Sequence, residues 1–124
     1  MQAEPIKIPI QLFDTNCYRN HKNSRAHIVL ADDRIMHEAL STCDRIDDVK
    51  TTEMDYYTRE IYRKDAVTGV CISSEGHEDI KAIYYRLNVS IMGTADDIVV
   101  RFTSRKSALA AYTTIHKWIF DEND

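Results

Sequence analysis

The sequence predicts an α+β fold, an antiparallel sheet of four to six strands with two helices packed on one face, and three observations carry that expectation. Ile83, Tyr85, Leu87, Val89 and Ile91 occupy every second position, the period that puts side chains on one face of a pleated strand. Residues 93–97 are a short polar punctuation before a second β-branched run, Ile98-Val99-Val100-Arg101-Phe102, so the stretch from 82 to 102 reads as a hairpin. Ser104 then stands where a helix N-cap would, with Ala108, Leu109, Ala111, Tyr112, Ile115, Trp118 and Ile119 at helical spacing. A sheet face followed so closely by an amphipathic helix predicts that the two bury each other.

The remaining elements follow in chain order. Residues 5–13 alternate apolar residues with polar ones or proline, and two prolines confine such a strand to a sheet edge or an extended arm. Residues 14–25 are polar, contain three Asn and lack an apolar period, so they read as a long loop. Residues 26–31 form a compact apolar run, a strand. Asp32 or Asp33 can then cap a helix to about Ile46, because Met36, Leu40 and Cys43 fall at i, i+4 and i+7. Residues 51–64 fit either a helix or a strand, and their wealth of Thr, Tyr and Ile favours strand. Residues 67–72 supply another strand before the hairpin. The core expected from these elements is Ile28, Leu30, Met36, Leu40, Val70, Ile83, Tyr85, Leu87, Val89, Ile91, Val99, Leu109, Ile115 and Trp118.

Composition bounds the rest. The 124 residues fit one globular domain over 1–124, and area scaling gives a compact chain of this mass roughly 6,800 Å² of accessible surface. Twenty acidic and sixteen basic residues are mixed along the chain for a net charge of −4, which disfavours a nucleic-acid binder that depends on a basic field. Three widely spaced cysteines at 17, 43 and 71 suggest a reducing, cytoplasmic setting. No apolar run approaches the ~18 residues that span a bilayer, so membrane insertion is not expected.

Signatures of chemistry are sparse. Cys17, His21 and His27 lack the close ligand pairs of a structural zinc site, and glycine-rich phosphate loops, GxSxG and HExxH are missing from the sequence. No metal, cofactor or catalytic residue is assigned. The one nucleophile arrangement that can be drawn is Cys17 with His21 or His77, which would make the protein a small hydrolase or nuclease built on the 14–25 segment. The strongest pattern is instead Tyr56, Tyr57, Arg59, Tyr62, Arg63 and Lys64, where aromatic and basic side chains interleave. Single-stranded RNA could stack on such a surface. Tyr and Arg are also the types enriched at protein-binding hot spots, since they give large contact area with a polar tip. The reading is therefore a small non-enzymatic binding protein, an inhibitor, immunity-type factor or adaptor, with self-association possible. Its expected partner-binding residues are Tyr56, Tyr57, Arg59, Tyr62 and Arg63, joined by Tyr18 and His21.

Overall fold

The computed structural model describes residues 4–14, 17–77, 82–93 and 96–120, leaving aside the side chains of residues 77, 82 and 83. Seven strands form two antiparallel sheets. The first has the order β1-β2-β3-β4 and is made of β1 (Ile6–Ile10), β2 (Tyr18–Leu30), β3 (Arg34–Ile46) and β4 (Thr51–Arg63). A single 3-10 turn, Lys64–Ala66, leads into the second sheet, made of β5 (Val67–His77), β6 (Ala82–Ile91) and β7 (Ile98–Phe102) in that order. One α-helix, α1 (Arg105–Phe120), is the last element among the described residues.

β1 lies at a sheet edge, where Pro9, opposite His27, does not have to donate to a second neighbour. The 82–102 hairpin is present as β6 and β7, with Gly93 at φ +83° in the turn, a backbone angle that a side chain would strain. Ser104 caps α1: the Ser107 amide donates to its Oγ at 3.2 Å. The helix buries Ala108, Ala111 and Ile115, and the two alanines let its backbone approach the second sheet closely.

Residues 32–46 are not a helix. After a bend at 32–33, Arg34–Ile46 is β3, paired with β2 on one side and with β4 through thirteen unbroken cross-strand pairs on the other. Hence, among the described residues, one helix, not two, packs on the sheets, and the strands number seven. Residues 18–25 of the expected loop belong to β2. Their asparagines serve the backbone, since Asn20 (φ 59°) and Asn23 (φ 53°) take the left-handed conformation where the β2–β3 register slips. The helix-or-strand ambiguity over 51–64 resolves as strand.

The core is gathered between the two sheets and α1. It comprises Ile8, Ile28, Leu30 and Ile35 from the first sheet, Val67, Leu87, Val89, Ile91, Ile98, Val100 and Phe102 from the second, and the three buried helix residues. Met36 and Leu40, expected inside, lie on the opposite face of the first sheet because β3 turns Ile35, His37, Ala39, Ser41 and Cys43 inward instead. Cys43 is buried as expected, on a strand rather than a helix. Val99 is only half-buried because its neighbours Ile98 and Val100 take the inward positions, and Leu109 is exposed on α1. Ile83 falls among the residues whose side chains are not described.

Every contribution of the first sheet to this core comes from the end near the β2–β3 turn, the farthest from it being Ile10, opposite Ala26. Thirteen-residue strands reach about 43 Å, at ~3.3 Å per residue, and so outrun the second sheet. The chain exposes 8600 Å², against roughly 6,800 Å² for a compact chain of its mass. Trp118 ties the layers together: its indole N–H donates to the Ala31 carbonyl at 2.7 Å, and the Lys64 ammonium lies 5.0 Å over its ring.

Candidate functional site

Strand alternation divides the residues singled out in the sequence between two faces. Tyr57, Arg59 and Arg63 point outward from β4, whereas Tyr56 and Tyr62 point inward. The interleaved run is therefore not one surface, because neighbours along a strand never share a face.

The inward set is structural in its contacts. The Tyr62 hydroxyl donates to Glu60 Oε2 at 3.1 Å, and Glu60 Oε1 lies 3.4 Å from Nδ1 of His37, a side chain that is almost fully buried. Burial, followed by the hydrogen bond to Glu60, pushes the Tyr62 hydroxyl above the usual tyrosine range. Tyr56 is raised too, first by burial and then by Glu60, and its ring lies 6.4 Å from that of Tyr18. His21 shares a 3.0 Å hydrogen bond with the buried hydroxyl of Ser41, which also donates to the Thr42 carbonyl. Cys17 is exposed, while burial and the nearby acids Asp44, Asp14 and Asp55 push the Cys43 thiol up, away from the reactive thiolate. His77 is in β5, and its side chain is not described. Among the described residues no group of His, Cys, Asp or Glu is arranged to hold a metal ion.

The outward face is built in cross-strand rows. Lys7, Val29, Met36 and Ile61 form one; Pro9, His27, Glu38 and Arg59 form the next; Arg25, Leu40 and Tyr57 the third; Lys22, Thr42 and Asp55 the fourth. Leu40, Tyr57 and Ile61 are 40%, 58% and 47% exposed, and α1 covers the second sheet, not this face. Glu38 sits at the centre. Its Oε2 accepts from Tyr57 Oη at 3.3 Å and lies 3.7 Å from Arg59 Nε, while Oε1 is 3.8 Å from His27 Nε2. This arrangement holds the Tyr57 ring beside Leu40. A shallow depression of about 370 Å³ opens there, lined by Lys7, Pro9, Arg25, Ala26, His27, Glu38, Leu40 and Tyr57.

Charge on this face runs against that of the chain. Lys7, Arg19, Lys22, Arg25, Arg34, Arg59 and Arg63 hold outward register positions against Glu38, Asp44, Glu53 and Asp55, seven cations to four anions on a chain of net charge −4. Most of these cations have partners: Lys22 pairs with Glu53, Arg34 with Asp33, Arg59 with Glu38 and Arg63 with Asp65. Among the described residues, Lys7, Arg19 and Arg25 make no ion pair, and Lys7 and Arg25 line the depression. Comparison with protein-family models, curated proteins and solved structures gave no match.

Of this face the sequence singles out Tyr57, Arg59 and Arg63 but not Lys7, Arg25, His27, Glu38, Leu40 and Ile61: Glu38 and Leu40 lie on the segment that reads as a helix and Arg25 on the one that reads as a loop, while Lys7, His27 and Ile61 lie on expected strands and carry no distinguishing pattern. The available signal was the period-two sequence Ile35, His37, Ala39, Ser41, Cys43, whose histidine and serine disguised an inward face. No helix among the described residues is long and apolar enough to cross a membrane.

Proposed function

We propose that the protein is a small non-enzymatic binding protein, an inhibitor, immunity-type factor or adaptor, that docks an acidic segment of a partner protein on the outward face of the β1-β2-β3-β4 sheet. The observation that carries this reading is the depression floored by Leu40, Tyr57 and Pro9 and flanked by Lys7 and Arg25, two cations without an ion-pair partner among the described residues. An apolar floor gains from being covered, roughly 25 cal/mol per Å² of apolar area removed from water. Unpaired cations at its rim select a partner that brings carboxylates, since like charge against them would cost affinity and slow association. Tyr57 is pre-oriented by Glu38, so little side-chain freedom is lost on contact. The hydrolase or nuclease reading, with Cys17 as nucleophile and His21 as base, has less support, because the hydrogen-bond partner of His21 is the hydroxyl of Ser41, which is 1% exposed.

The test is affinity capture from the native host with the wild-type chain and with Lys7→Glu/Arg25→Glu and Leu40→Asp variants, each first shown by circular dichroism to be folded. An acidic protein captured by the wild type and lost by both variants is the expected outcome. Identical capture by all three refutes the surface.

A further inference from the structure

We propose that two copies of the chain join through the free edges of their β4 strands, antiparallel across a two-fold axis at Tyr57, to make one eight-stranded sheet. This inference stands on the edge of β4, not on the depression, and the two can fail separately.

Among the described residues β4 is the outer strand of its sheet and has β3 as its one strand partner; the chain leaves it through the 3-10 turn for the other sheet. Thirteen residues thus present their second set of backbone donors and acceptors along ~43 Å of edge. Such an edge is a template for another strand, and proteins usually blunt it with proline, lysine, a bulge or a short strand. None of these is found in β4: it has no Pro or Lys, and its register with β3 is unbroken.

Its charges are ordered instead. On the outward face the strand reads Glu53, Asp55, Tyr57, Arg59, Ile61, Arg63, acidic at the start and basic toward the end. Antiparallel pairing about Tyr57 sets Asp55 of each copy opposite Arg59 of the other and places the two Tyr57 rings side by side. Opposite charges and aromatic pairs directly across a ladder stabilise it, and like charges destabilise it. Parallel pairing in register would instead put Asp55 on Asp55 and Arg59 on Arg59. The strand is therefore self-complementary in one orientation only. Both charged side chains already point to this face, Asp55 accepting from Thr42 Oγ1 at 2.9 Å and Arg59 reaching toward Glu38. A single strand pair buries less than a standard interface, so the expected dimer dissociates in the micromolar range.

Sedimentation equilibrium of the full chain from micromolar to sub-millimolar concentration tests the proposal. The wild type is expected to move from 14.4 kDa to twice that mass as concentration rises. Asp55→Arg alone sets four cations at the seam and Arg59→Asp alone four anions, so each single variant is expected to stay monomeric. An equimolar mixture of the two restores both ion pairs and is expected to recover the doubled mass. Because the mixture regains what each variant lost, a folding defect cannot imitate the result. A wild type that remains at monomer mass throughout, single variants that dimerise like the wild type, or a mixture that stays monomeric each overturns it. Identical capture by the wild type and by the Lys7/Arg25 and Leu40 variants, with dimerisation unchanged, would refute the docking surface and leave the edge proposal standing on its own.

Discussion

Replacing Trp118 by Phe tests how the two sheets are held in register. The indole N–H that donates to the Ala31 carbonyl at 2.7 Å joins the last turns of α1 to the β2–β3 turn, elements 87 residues apart in sequence. Phenylalanine keeps much of the apolar bulk but removes the donor. A net hydrogen bond contributes about 1 kcal/mol, and a half-buried carbonyl left without its donor makes the loss somewhat larger. Lys64, 5.0 Å over the ring, adds a cation–π contribution of about 0.5 kcal/mol for a partly solvated pair, weaker on phenyl than on indole. Together the loss should be about 2 kcal/mol, or roughly 8 °C in Tm, since a domain of this size moves ~4 °C per kcal/mol. Urea unfolding followed by far-UV circular dichroism measures it, because the substitution removes the only tryptophan. Lys64→Ala and the double variant complete a cycle whose coupling should be a few tenths of a kcal/mol. A Trp118→Phe chain within about 0.3 kcal/mol of wild type would refute the idea that this bond clamps the sheets.

Three further outcomes follow from the same structure. Ile115→Ala empties a fully buried position between α1 and the sheets and should cost about 3–4 kcal/mol in the same urea assay. Tyr62 and Tyr56 have folded-state hydroxyls raised above the ordinary value of 10.0, so their contribution to stability is complete below pH ~10 and is lost as pH rises beyond it. Unfolding midpoints between pH 9 and 12 should therefore fall, less steeply in a Tyr56→Phe/Tyr62→Phe chain. Cys17 and Cys71 are exposed and Cys43 is buried, so Ellman's reagent should titrate two thiols quickly and the third only on denaturation.

The second sheet and its helix were legible because their residues obey one period at a time. In β6 the alternation is unbroken, and in α1 the cap and the apolar stripe agree. β3 was misread for a geometric reason. A spacing of four residues is a whole number of strand repeats and nearly one helical turn, so Met36 and Leu40 share a face under either reading, as do Ile35, Ala39 and Cys43. Good helix formers such as Met, Glu, Ala and Leu then tipped the choice, and pairing with β2 and β4 overrode that preference. Polar residues 18–25 resembled a loop because the early half of β2 lies beyond the main core, where exposed strand residues need not be apolar. The candidate surface was half legible for the same reason: its β4 side chains were recognised by type, but their division between two faces appears only once the pleat is known.

The asymmetric placement of the core makes the far end of the long sheet a cantilever. Near the β2–β3 turn the three strands are clamped by the second sheet and the helix, while at the other end they are held by their own ladders and a small knot of Tyr18, His21, Ser41, Cys43 and Tyr56. Bending or twisting there disturbs few of the packed side chains that keep the chain folded. The projecting arm can thus change its sequence and its curvature while the clamped end preserves the architecture.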